Sequence, residues 1–165
     1  MNPHESFGNK NRFIVSDMGD ILRRASVSDL DQLMTIETES YSEPFSRDVF
    51  AEFLNDDSCI CVIAERDQHI IGYALAAVNL QLSQLLSIAV APQFRSTGVA
   101  RQLLAGVMDY CRSSGAENIR LEVRSANVAA RRLYDAMGFS LIGLRNKYYG
   151  DDDALVMRAD LQLQD

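Results

Sequence analysis

The heptapeptide NIRLEVR, residues 118–124, alternates Ile119, Leu121 and Val123 with Arg120, Glu122 and Arg124. That alternation predicts a strand with one buried face. An acid in the middle of a strand expected to be covered is unusual, which makes Glu122 the leading candidate for a general base acting through water. Pairing with Arg120 or Arg124 on the same face is the competing structural role. Twelve residues on, Tyr134 carries a phenol of pKa about 10, suited to giving a proton and recovering it from solvent, although half-buried packing on a sheet is the commoner fate of a tyrosine. Asn127 precedes Tyr134 by seven residues. Two helical turns therefore bring them to one face, with Asn127 placed either to hold a ligand or to cap the helix.

A second chemical motif is VAPQFRSTGVARQLL, residues 90–104. A strand end runs through Arg95, Ser96, Thr97 and Gly98 into Val99, Ala100 and Arg101, the start of a helix. Helix starts expose backbone N–H groups and the positive end of the dipole, so this junction is either an anion site or an ordinary turn. From Gln68 through Met108 there is no Asp or Glu, while Arg95 and Arg101 lie inside that tract. The motif is neither a P-loop, which needs GxxxxGK followed by Ser or Thr, nor a dinucleotide fingerprint, which needs GxGxxG.

Composition narrows the function classes. The chain has 165 residues, 47% hydrophobic, with a net charge of −7. This is the size of one domain with its own core, and the acidic balance argues against nucleic acid. No apolar run nears the roughly 20 residues that span a bilayer, and MNPHESFGNKNRF has no apolar signal region, so a cytoplasmic protein without a membrane partner is expected. Three cysteines and two histidines, His4 and His69, predict reduced thiols and no metal. Cys59 and Cys61 share one face of a strand, and Cys111 sits on a helical apolar stripe with no histidine near it, which disfavours a thiol nucleophile.

The elements that position these residues follow from periodicity. Residues 1–19 are expected to be a loose extension and residues 20–165 one domain. A short strand from Ile21 runs into the SVSD capping box, then a helix through Leu30, Leu33 and Ile36, and a second helix capped by Ser46. CICVIAE and HIIGYALAAV read as a hairpin, and LLSIAV as a strand covered on both faces. The helix from Gly98 leads to NIRLEV in a parallel crossover. ANVAARRLYDAMG forms another helix closed by Gly138, and a last hairpin is built from FSLIGLRNKYY and DALVMRADL around a solvated acidic turn, Asp151 to Asp153.

With RxxGxA behind LLSIAVAP, and LEVRSANVAARRLYDAMGF downstream at matching spacing, the chain resembles the GNAT acyltransferases from about Ile21 to Leu161. It is most similar to the RimI type, which acetylates N-terminal alanines of bacterial ribosomal proteins. Ala100 stands where the family often has a second glycine, and Arg95 where it often has Gln.

The resemblance implies an α/β (α+β) GNAT fold, a mixed sheet of six to seven strands whose parallel central pair splays, with helices on both faces. It implies acetyl-CoA as cosubstrate and no metal. The diphosphate would lie on Arg95, Ser96, Thr97, Gly98, Val99, Ala100 and Arg101, and the pantetheine on Ile88, Ala89 and Val90, with Ile88 or Ala89 supplying the oxyanion donor. Asn127 and Tyr134 would complete the CoA site. The family places its base at Glu122 and its acid at Tyr134, and walls in the acceptor with Glu43, Pro44, Phe45, Tyr148 and Tyr149. The expected acceptor is a protein N-terminus, possibly ribosomal, approached by a monomer or weak dimer. Alternatives are an acetyltransferase for a small amine or lysine side chain, and a non-catalytic acyl-CoA-binding domain.

Overall fold

A computed structural model describes residues 14–16, 19–148, 150 and 152–162. Most of the expected N-terminal extension, with His4, and also Tyr149 and Asp151, lie outside the described residues.

The described residues fold around one sheet of eight strands: β1 (Ile14–Val15), β2 (Ile21–Arg24), β3 (Cys59–Arg66), β4 (His69–Ala77), β5 (Leu82–Val90), β6 (Asn118–Arg124), β7 (Ser140–Arg145) and β8 (Ala154–Asp160). Their order in space is β1-β2-β3-β4-β5-β6-β8-β7. Seven of these, β2 to β8, form the expected sheet, and the two-residue β1, within the segment expected to be loose, adds a short edge by pairing with β2. Helices α1 (Leu30–Ser40), α2 (Arg47–Asn55), α3 (Val99–Ser113) and α4 (Val128–Ala136) complete the fold.

Local chemistry explains the joints. Asp67 and Gln68 both take positive φ, 50° and 65°, a turn whose twist suits the β3–β4 hairpin. The Ser26 N–H donates to Asp29 Oδ2 at 2.9 Å, one half of the expected capping box. The same carboxylate receives two bonds of 2.8 Å from Arg23, which ties the start of α1 to β2.

Helices cover both faces of β3 to β5. Leu30, Leu33, Ile36 and Phe50 from α1 and α2 pack with Cys61, Ile63, Tyr73 and Ala89 on one side. Val99, Leu103, Val107 and Cys111 from α3, with Tyr134 from α4, pack with Val62, Ala74, Leu121 and Val123 on the other. Burial on both faces is why these strands read as nearly unbroken apolar runs.

Among the described residues every strand pairing is antiparallel except β5 with β6. That parallel pair keeps register only at Leu82–Asn118, Ser83–Ile119 and Gln84–Arg120. Beyond those residues β5 runs on along β4 and β6 along β8, so the middle of the sheet opens into a wedge.

Candidate active site

The wedge is where the polar groups gather. Just past the end of β5, Ala91 donates its N–H to Ile71 O on β4 at 2.8 Å. Carbonyl and amide groups of one strand residue point the same way and alternate along the strand, so Ala89 also faces β4, while Ile88 and Val90 face the wedge. Two side chains confirm this: Tyr41 donates its hydroxyl to Ile88 O, and Arg95 Nε donates to Val90 O at 2.9 Å. Of the two oxyanion candidates the geometry therefore brings Ile88 to the opening and turns the Ala89 main chain away.

A cavity of about 180 Å³ fills the mouth of the wedge, lined by Glu37, Tyr41, Glu43, Phe45, Leu85, Leu86, Ser87, Ile88, Leu121, Glu122 and Tyr134. Glu122 and Tyr134, chosen from sequence, thus meet in one site. The Glu122 side chain is 14% exposed, and its Oε1 lies 3.1 Å from Arg145 on β7. The cation that pairs with it thus comes from the far hairpin, which β8 holds beside β6. Tyr134 is buried on α4 with its ring tilted against Phe139, centroids 5.6 Å apart.

Three site residues escaped the sequence reading. Glu37 and Tyr41 stand four apart on and just after α1, and Ser87 lies on β5. Glu37 is buried and accepts from Phe45 N–H at 3.1 Å, from Ser87 Oγ at 3.1 Å and from the Tyr73 hydroxyl. Burial pushes its carboxyl above the ordinary range, against the lowering effect of the Phe45 and Ser87 bonds. Desolvation at the cavity wall likewise raises the Tyr41 phenol, although the residue as a whole is 39% exposed. A signal for both existed: Leu30, Leu33, Glu37 and Tyr41 continue one helical stripe, and an acid on an apolar stripe is a buried polar group needing partners.

The anion cradle lies at the end of β5. Ser96 and Gly98 take left-handed backbone, φ 62° and 91°, and Gly98 caps α3. The first helical bond is from Gln102 N–H to Gly98 O at 3.2 Å, which leaves the amides of Val99, Ala100 and Arg101 ahead of it without intrahelical acceptors. Val99 is buried, so its side chain belongs to the core and takes no part in the cradle. Arg95 is committed to Val90 O and, at 3.2 Å, to Ser40 Oγ on α1. Thr97 bonds Phe94 O through its hydroxyl. The donor set is thus mostly main chain with the exposed Arg101 beside it, which fits a diphosphate group. Asn127 caps α4: its Oδ1 accepts from Ala130 N–H at 3.1 Å, the structural one of its two expected roles.

Of the acceptor segment, Glu43 and Phe45 line the cavity, whereas Pro44 and Tyr148 do not. Tyr148 is 54% exposed and lies under the Arg145 guanidinium, 5.4 Å from its ring centre. The acidic turn is more than a solvated loop. Asp152 accepts from Ser125 Oγ at 2.5 Å and Ala126 N–H at 3.2 Å, and Asp153 accepts from Lys147 N–H at 2.7 Å. These bonds pin the hairpin against the β6–α4 turn.

The three cysteines are buried, and burial raises each thiol above its ordinary range. Among the described residues no group of His, Cys, Asp and Glu is arranged to hold a metal, and no helix is long and apolar enough to cross a membrane.

Comparison with known proteins meets this geometry from the other side. Residues 30–139 match the acetyltransferase (GNAT) family. The [ribosomal protein bS18]-alanine N-acetyltransferase of Salmonella typhimurium is 31% identical over 143 residues, 84% of this chain and 95% of that protein. An N-alpha-acetyltransferase of Sulfurisphaera tokodaii is 30% identical over 154 residues, 85% of this chain and 92% of its own length. The crystal structure of the ribosomal-protein-S18-alanine N-acetyltransferase from Escherichia coli superposes with a TM-score of 0.82 at 26% identity, covering 88% of this chain and 96% of that one.

Proposed function

We propose, because this chain belongs to the acetyltransferase (GNAT) family, that it moves an acetyl group from acetyl-CoA to the N-terminal α-amine of a protein, with a ribosomal protein as acceptor. The observation that carries the reading is the wedge, where Glu122, Tyr134 and the Ile88 main chain converge on one cavity beside a helix start built for a diphosphate.

Acetyl-CoA supplies an activated thioester. The amides of Val99, Ala100 and Arg101 hold its diphosphate, and the open β5 edge takes the pantetheine in strand-like fashion. Glu122, through a water, takes a proton from the acceptor ammonium, so that the neutral amine attacks the thioester carbon. The Ile88 N–H faces the acyl oxygen and stabilises the charge that develops there. As the C–N bond forms and the C–S bond breaks, Tyr134 gives its proton to the departing thiolate. Once the C–N bond has formed the nitrogen is cationic and gives its second proton to the water beside Glu122, Glu122 passes the first proton to solvent, and solvent re-protonates Tyr134.

An α-amine, pKa about 7.7–8.0, is deprotonated by a single modest base far more readily than a lysine at about 10.4. That difference, the cavity wall of Glu43 and Phe45, and the names of the relatives support an N-terminal acceptor. Residues 20–165 act as one domain, as a monomer or weak dimer, in the cytoplasm where ribosomal proteins are made. Mass spectrometry of ribosomal-protein N-termini from a strain lacking the gene tests the reading: one N-terminus loses its acetyl group and regains it when the purified chain and acetyl-CoA are added. Unchanged acetylation across all of them overturns it.

A further inference from the structure

The segment from Ser42 to Ser46 between α1 and α2 has no regular secondary structure, yet it supplies Glu43 and Phe45 to the cavity. A loop of that kind stays in place only if something binds its main chain. Phe45 N–H finds its acceptor in Glu37 Oε1, at 3.1 Å. The second oxygen of Glu37 is held from the sheet, by Ser87 Oγ of β5 at 3.1 Å and by the Tyr73 hydroxyl of β4. Ser87 and Tyr73 also touch each other, 3.0 Å apart, which closes a buried polar triangle. Glu37 therefore joins three things through one rigid carboxylate: α1, the sheet at the wedge, and the loop that walls the cavity.

We infer that Glu37 is a positioning residue for the acceptor, holding the Glu43–Phe45 wall at a fixed distance from β5 so that the incoming amine is aimed at Glu122. This rests on the acetyl-transfer reading for its kinetic consequence, but its structural half stands apart from it. The carboxylate suits the task better than an apolar residue because it can bind donors from the loop and from the sheet at once. Its placement also separates the two substrates. The diphosphate cradle at Gly98 is built from another loop and another helix, so loosening the wall affects the acceptor and leaves acetyl-CoA alone.

The test uses the full chain with Glu37→Ala and Glu37→Gln. Amide exchange at Phe45, read by NMR, reports the tether; steady-state kinetics with an alanine-starting peptide and calorimetry with acetyl-CoA report the two substrates. Glu37→Ala is expected to lower Phe45 protection at least tenfold and to raise the peptide KM about tenfold, with acetyl-CoA affinity within twofold. Glu37→Gln keeps an acceptor oxygen for Phe45 and is expected to hold protection and KM within threefold. Should Glu37→Ala fold poorly, Glu37→Leu with Tyr73→Phe and Ser87→Ala replaces the whole triangle by apolar groups of similar shape, a change tolerated better than orphaning the partners. Its Phe45 amide must be as unprotected as in Glu37→Ala. Phe45 protection equal to wild type in either variant overturns the proposal, as does a matching rise in both substrates' constants. A wild-type chain that acetylates no peptide refutes the acetyl-transfer reading instead, while the Phe45 amide still decides what Glu37 does.

Discussion

Replacing Glu122 by Gln changes one oxygen into a nitrogen, so the effects on shape and on charge can be separated. In the folded chain the Glu122 carboxylate lies in the cavity, 3.1 Å from Arg145, whose side chain is 47% exposed. Losing a pair with one partner in solvent costs about 0–1 kcal/mol. For a chain of this size that lowers the melting temperature by no more than about 4 °C. Removing a general base costs about 10²–10⁴ in rate, which is about 2.7–5.4 kcal/mol of transition-state stabilisation at about 1.36 kcal/mol per decade. The rate effect therefore exceeds the stability effect several-fold. Release of free CoA thiol from acetyl-CoA and an alanine-starting peptide measures kcat; calorimetry measures acetyl-CoA affinity, which should not change because main-chain amides form the cradle. A Glu122→Gln enzyme that keeps more than about a tenth of wild-type kcat at neutral pH refutes the assignment of the base. A melting temperature lowered by about 10 °C would show instead that Glu122 is mainly structural.

Three further outcomes are expected. Gly98→Ala places a side chain at φ 91°, a left-handed conformation that costs an L-residue about 1–2 kcal/mol, so both thermal stability and acetyl-CoA affinity should fall in melting and calorimetric assays. Tyr134→Phe keeps the ring against Phe139 and should keep stability and acetyl-CoA binding, while kcat from the same thiol assay drops about 10²-fold. Asp29 has its carboxyl held below the usual range, first by the bonds from Arg23; a group depressed on folding stabilises above its unfolded value of about 3.9 and loses that contribution as pH falls through its folded value. Melting curves of wild type should therefore steepen their decline with pH below about 4 relative to Asp29→Asn, and identical curves would exclude the pair as a source of acid sensitivity.

Much of the site was legible one segment at a time. Gly98 marked a helix start, Glu122 stood as the one acid among the arginines on the polar face of β6, and Tyr134 followed Asn127 at helical spacing, all signals carried within a few residues. Glu37 was legible only in part. Its place on the stripe of Leu30 and Leu33 marked it as buried, but not that Phe45, Ser87 and Tyr73 would answer it. Arg145 could not have been picked out as a partner of Glu122, since unlike Arg120 and Arg124 it lies on another strand.

Periodicity and turn chemistry belong to neighbouring residues, and they determined the order of strands and helices, the helix start at Gly98 and the face on which Glu122 lies. Which strand lies beside which is a question of packing over long separations. Tertiary structure alone inserted β8 between β6 and β7, ended the β5–β6 pairing after Gln84 and Arg120, and turned Ile88 toward the resulting opening. A main-chain group becomes a reactive donor only when its expected neighbour strand departs, and that departure is a property of the whole sheet, written in no single stretch of the chain.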